Sequence, residues 1–161
     1  MISTRRRIES ATGYLALGML TEASDELEAI EGEDRLLPEV MSVRTDFYIE
    51  AKQWDLLLAV SRELTRQRPN HVKGWIGWAY ALRELNRLAE AKAVLLEAEP
   101  IHGEKCALLR YNLACYCCLW GDLAAAKEWL SQACKMDDHW KKAALEDEDL
   151  KAMWDDIAAM K

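Results

Sequence analysis

The chain is poor in the residues that interrupt helices and in those that build strands. It has seven glycines, three prolines and a single phenylalanine among 161 residues. Ala, Leu, Glu, Lys and Arg dominate instead, and these residues favour helices. With 51% hydrophobic and 30% charged residues, the composition excludes an intrinsically disordered chain. The length suits one ordinary domain that can bury a sizeable core.

The chain also lacks an excess of positive charge and any long apolar run. A formal net charge of −7 disfavours nucleic acid as a partner, because such binding depends on neutralising phosphates. No stretch approaches the roughly 20 apolar residues that span a bilayer, which excludes membrane insertion. The basic start followed by apolar residues superficially resembles a secretory signal, but Thr12, Gly13 and Gly18 interrupt it and no clean cleavage site follows. We therefore predict a cytoplasmic protein whose N-terminus is a helix.

Cysteines are few and odd in number, which suits a reducing compartment. Three of the five, Cys115, Cys117 and Cys118, lie within four positions. On a helix, residues advance about 100° each, so Cys117 faces away from the other two and three thiolates cannot converge on one metal ion. The Cys115–Cys118 spacing also lacks the βαβ context of thioredoxin-like motifs. Packing is the favoured interpretation, and a cysteine-based metal or redox protein is kept as an alternative.

Catalytic constellations are missing from the sequence as well. There is no glycine-rich phosphate loop, nucleophile elbow or paired-histidine motif. The sequence therefore predicts no enzymatic activity, no catalytic residues, no metal and no cofactor.

What the chain does contain is a repeat. Gly18, Lys52, Asn86 and Gly121 follow one another at spacings of 34, 34 and 35 residues, and each precedes a new helical pattern. Equivalent positions five residues later are mostly small and apolar: Ala23, Leu57, Ala91 and Ala126. Apolar residues three or four apart on both sides of a short turn predict amphipathic helical hairpins. The predicted helices are 4–17, 20–31, 38–51, 54–67, 72–85, 88–98, 105–119 and 122–135, with a capping helix at 147–159.

These residues resemble the tetratricopeptide repeat family, in a small bacterial type with about four repeats. The third repeat matches at Trp75, Trp78, Ala79 and Leu82, and the fourth matches best, at Leu113, Ala114, Cys117, Gly121, Ala126 and Leu130. The resemblance implies an all-α, right-handed α-solenoid of antiparallel helix hairpins with a C-terminal capping helix. A single domain would span residues 1–161, with repeats near 4–37, 38–71, 72–106 and 107–140 and the cap at 141–161.

The resemblance also implies a function. Tetratricopeptide proteins usually hold a peptide segment of a partner in a concave groove, as scaffolds or adaptors. The first helix of each repeat would line this groove. The predicted groove residues are therefore Arg5, Glu9, Thr12, Glu39, Ser42, Asp46, Lys73, Ile76, Gly77, Tyr80, Arg83, Leu108, Tyr111, Asn112 and Cys115. A bacterial secretion-type chaperone for a hydrophobic client is the alternative. The sequence does not identify the protein partner, and homo-oligomerisation stays open.

Overall fold

Helices are the regular elements throughout residues 2–160, which the computed structural model describes; Met1 and Lys161, the ends of the predicted domain, lie outside the described residues. The α-helices are α1 (Thr4–Ala16), α2 (Leu20–Glu28), α3 (Pro38–Glu50), α4 (Trp54–Gln67), α5 (Val72–Glu84), α6 (Leu88–His102), α7 (Ala107–Trp120), α8 (Leu123–Met136), α9 (His139–Glu146) and α10 (Trp154–Ala159). Two 3₁₀-helices span Gly32–Leu36 and Glu148–Met153. The predicted all-α class is confirmed.

The four residues of the repeat period have the same unusual backbone conformation. The φ angles are 71° at Gly18, 53° at Lys52, 59° at Asn86 and 89° at Gly121, all in the left-handed region. This conformation ends a helix by satisfying its last carbonyls. At Gly121, for example, the backbone N–H donates to Cys118 O at 3.0 Å while the next N–H, of Asp122, donates to Cys117 O at 3.0 Å. The sequence period therefore marks a recurring structural turn.

The chain divides into two compact units, residues 1–85 and 86–161. In the first unit α1 packs against α2 and α3 against α4, and the first helices of the repeats also meet, α1 with α3 and α3 with α5. Its core brings together Ala11, Ala23, Leu27, Ile30, Val40, Phe47, Tyr48, Leu57 and Ala81. The repeat positions Ala23 and Leu57 both lie in this core and are 0% exposed.

Two glycines set the contact between α4 and α5. A Cβ atom at Gly77 would lie 2.5 Å from Ser61 Oγ and 2.9 Å from Thr45 Cγ2. At Gly74, a Cβ would lie 2.5 Å from Thr65 Oγ1 and 2.9 Å from the Thr65 backbone nitrogen. Side chains at these positions would push the helices apart, because real Cβ contacts are not this short.

A buried arginine ties α3 to the end of α2. Arg44 is 6% exposed, and its guanidinium donates to Leu27 O at 2.7 Å, Tyr48 Oη at 3.0 Å and Glu28 Oε1 at 3.0 Å. Burial acts to raise the pKa of Glu28, but the charges and hydrogen bonds of Arg44 and Arg35 together outweigh it, so the pKa lies below its usual value. This carboxylate is therefore stabilised in its charged form.

The second unit departs from the predicted helices in two places. α6 continues through Pro100 to His102, although a B helix ending before Pro100 was predicted. Proline removes one hydrogen bond near the helix end, and Gly103 N–H donates to Glu99 O at 2.7 Å to close the last turn. The capping helix predicted at 147–159 is instead two elements, the 3₁₀-helix Glu148–Met153 and α10, and α9 precedes them. Within these elements Leu150, Met153 and Ile157 are buried.

Candidate functional site

The predicted groove residues of the first unit lie on α1, α3 and α5, and we call this the A-helix surface. On α1, Arg5, Glu9 and Thr12 are exposed. Arg5 Nε donates to Glu9 Oε1 at 3.0 Å, and Thr12 Oγ1 donates to Ile8 O at 2.8 Å. This part of the surface is therefore polar, and its charges of opposite sign partly neutralise each other.

On the neighbouring helices the predicted acids and bases meet. Lys73 Nζ on α5 lies 2.6 Å from Asp46 Oδ2 on α3, although both side chains retain some exposure. Further along α5, Arg83 pairs with Glu84 at 2.9 Å. Ile76 lies between Lys73 and Arg83 in the sequence, and its side chain is half-buried. The surface thus presents ion pairs with an apolar side chain among them, rather than a field of one sign.

A cleft opens at the first turn of α3. It encloses about 290 Å³ and is lined by Pro38, Glu39, Ser42, Leu64, Arg68 and His71. Glu39 and Ser42 were predicted site residues, but Arg68 and His71 were missed because they lie in the α4–α5 connection rather than on a helix face. The signal in the sequence was the pair of basic residues Arg68 and His71 on either side of Pro69. They lie in the loop that connects α4 to α5, the first helix of the next repeat.

Two predicted site residues of α5 belong to packing. Gly77 is buried at the α4–α5 contact, so its prediction as an open groove residue is corrected: it is glycine because Ser61 and Thr45 leave no room. Tyr80 is half-buried against the core, with its ring edge-on to Trp54 at 5.7 Å. Its aromatic ring serves the contact between α4 and α5.

The site residues on α7 differ in accessibility. Leu108 is 39% exposed and Asn112 is half-buried, whereas Tyr111 and Cys115 are 6% and 4% exposed. The expectation that these last two lie open in a groove is therefore wrong. The chain's own C-terminal segment covers them: Tyr111 Oη donates to Asp147 Oδ2 at 2.7 Å, and Cys115 Sγ lies 3.7 Å from the same oxygen.

The thiols of this region are shielded. Burial raises the pKa of Cys115, and the carboxylates of Asp147 and Asp149 raise it further. Burial likewise raises the pKa of Cys117, Cys118 and Cys134. Because the thiolate is the reactive form, these shifts lower the fraction of reactive thiolate at neutral pH. Among residues 2–160, no group of three His, Cys, Asp or Glu side chains is arranged to hold a metal ion. Over the same range no helix has the length and apolarity to cross a bilayer.

Comparison with solved structures identifies the architecture. The chain superposes on TTC0263, a thermophilic TPR protein of Thermus thermophilus, with a TM-score of 0.73 and 18% identity over 98% of this chain and all of that one. It also superposes on MamA from MSR-1 with a TM-score of 0.72 and 16% identity, covering 86% of this chain and 79% of MamA. No family model and no curated protein matches the sequence. The chain has the tetratricopeptide repeat fold, an all-α solenoid.

Proposed function

We propose that the protein is a non-enzymatic interaction module that binds a peptide segment of a partner protein on its A-helix surface, as a scaffold or adaptor. The tetratricopeptide fold supports an interaction role in general terms but does not select a ligand. The cleft lined by Glu39, Ser42, Arg68 and His71 is the observation that carries the proposal.

The size and lining of this cleft favour a peptide. At about 290 Å³ it lies at the lower limit of small-molecule pockets, and it suits one or two side chains of a longer ligand. The lining combines the buried apolar side chain of Leu64 with the exposed and oppositely charged side chains of Glu39 and Arg68. A peptide ligand would leave the cleft along the ion-paired Lys73–Asp46 surface, where backbone groups find both donors and acceptors.

The shielded cysteines support the non-enzymatic part of the proposal. Their pKa values are raised by burial, which disfavours the thiolate that nucleophilic or redox chemistry requires.

Charge reversal at the cleft tests the proposal. Glu39→Lys inverts one charge of the lining, and Glu22→Lys is the matched control, since both residues are exposed acids in the first turn of a helix. Both changes incur the same unfavourable interaction with the helix dipole. The immobilised wild-type chain is used to capture proteins from the source cells. With immobilised Glu39→Lys, we expect the recovery of these proteins to fall at least about fivefold, which is the effect of about 1 kcal/mol at an interface. With Glu22→Lys, their recovery should equal that of the wild type. Equal recovery with both variants would refute the assignment of the cleft.

A further inference from the structure

The C-terminal segment covers one face of α7 as a ligand would. Tyr111, Cys115 and Cys118 share this face, because spacings of four and three residues place side chains on one side of an α-helix. The 3₁₀-helix Glu148–Met153 packs on α7. A 3₁₀-helix has three residues per turn, so Asp147, Leu150 and Met153 fall on one side of the segment.

The contacts across this face are both polar and apolar. The Asp147 carboxylate accepts a hydrogen bond from Tyr111 Oη at 2.7 Å, and its other oxygen accepts from the backbone N–H of Asp149 at 3.0 Å. Leu150 and Met153 are 0% and 1% exposed. The ring of Trp140 lies 4.6 Å from that of Tyr111. The segment therefore presents an acidic anchor followed by two apolar anchors.

The segment is held in shape by its own hydrogen bonds. Trp154 Nε1 donates to Ala144 O at 3.0 Å and to Asp147 O at 3.2 Å, so α9, the 3₁₀-helix and α10 form a connected unit. The chain enters this unit from α8 through Asp137, whose backbone is extended. Displacement of the unit from α7 would break the Tyr111–Asp147 hydrogen bond and expose Leu150 and Met153.

We propose that the Tyr111–Cys115–Cys118 face is a second peptide-binding surface, held closed by the chain's own C-terminal segment. Its external ligand is a partner peptide of the same chemistry, an acidic residue followed three and six positions later by large apolar residues. The inference rests on the proposed interaction function, but it places this ligand on α7 and makes binding conditional on displacement of the segment.

Competition by a synthetic peptide tests the proposal. The probe is a fluorescein-labelled peptide of residues 146–154, EDEDLKAMW. In the full chain, Asp147→Asn weakens the resident segment while the probe retains its aspartate. Because a tethered segment competes at an effective concentration on the order of millimolar, we expect the probe to bind this variant about tenfold more tightly than the wild type. Glu148→Gln, the neighbouring exposed acid, is the matched control and should leave affinity unchanged.

Cysteine alkylation followed by mass spectrometry reports where the chain opens. In Leu150→Ala, which weakens the apolar contact of the segment but keeps the Asp147 carboxylate beside the thiols, Cys115 and Cys118 should react about tenfold faster than in the wild type. Cys117, which lies about 200° from Cys115 around the helix, should keep its wild-type rate. Tyr111→Phe gives a second variant that preserves packing. Alkylation of Cys115 should also be faster in Tyr111→Phe than in the wild type. The probe should not bind this variant more tightly, because the aspartate of the probe needs the Tyr111 hydroxyl as its hydrogen-bond donor.

The outcomes separate this inference from the function proposed for the first unit. The α7 assignment is overturned if the probe binds Asp147→Asn no more tightly than the wild type, or if the alkylation of all three thiols accelerates equally. This holds even when Glu39→Lys abolishes partner capture. Tight probe binding together with no effect of Glu39→Lys would refute the cleft and leave the α7 surface standing.

Discussion

Replacing Gly77 by alanine isolates the steric requirement of the α4–α5 contact. The added Cβ would lie 2.5 Å from Ser61 Oγ and 2.9 Å from Thr45 Cγ2. The Thr45 methyl group cannot rotate away freely, because Thr45 Oγ1 donates to Met41 O at 2.9 Å. Overpacking of this kind costs about 1–3 kcal/mol, and the better helix propensity of alanine offsets about 1 kcal/mol. We expect the free energy of unfolding to fall by about 1 kcal/mol.

The chain contains its own control for this prediction. Gly13 is also within a helix of the first unit, and a Cβ there would meet no atom within 4 Å. Gly13→Ala should therefore stabilise the protein by about 0.5–1 kcal/mol. Gly74→Ala should be worse than Gly77→Ala, because its Cβ would meet the Thr65 backbone nitrogen at 2.9 Å.

Chemical denaturation followed by circular dichroism measures all three variants. Ser61→Ala adds a further check, since Ser61 Oγ is buried and has no hydrogen-bond partner among the described residues. This substitution removes the nearest contact and should restore part of the stability lost in Gly77→Ala, by about 0.5 kcal/mol of coupling. If Gly77→Ala and Gly13→Ala changed stability by the same amount, the steric argument would be refuted.

Two further substitutions follow from the backbone and the charges. Lys52→Gly should stabilise the protein by about 1 kcal/mol in thermal unfolding, because glycine adopts the 53° φ angle without strain, whereas Lys52→Ala should bring no gain. Glu28→Gln should cost about 0.5–1 kcal/mol at pH 7, since it removes the carboxylate that pairs with Arg44. The pKa of Glu28 is lowered by folding, so this contribution is present above about pH 4.5 and is lost as the pH falls through the lowered pKa. Urea titrations of both proteins should therefore converge at low pH, and a constant difference would contradict the assignment.

The repeat pattern predicted the helices because local turns and apolar spacing determine them. The repeat period identified Gly18, Lys52, Asn86 and Gly121 as turn positions, and all four have left-handed backbone conformations. The residues that the sequence misplaced depend on tertiary contacts. The exposure of Cys115 and Tyr111 is decided by the segment around Asp147, more than 30 positions away. The sequence predicts a capping helix there, but helical spacing does not indicate which face of α7 it covers. The repeat pattern places Gly77 among the groove residues, but Ser61 of α4 and Thr45 of α3 pack against it, and it is buried.

The left-handed turns also have a consequence for the order of folding. Gly18 and Gly121 adopt their conformation at little intrinsic cost, so the α1–α2 and α7–α8 turns can form early in an otherwise unfolded chain. Lys52 adopts the same conformation at an intrinsic cost, which the hydrogen bonds of the turn and the docking of α3 against α4 offset. Nascent helical turns should therefore appear first towards the two ends of the chain. The α3–α4 hairpin should form later, when packing compensates its unfavourable turn.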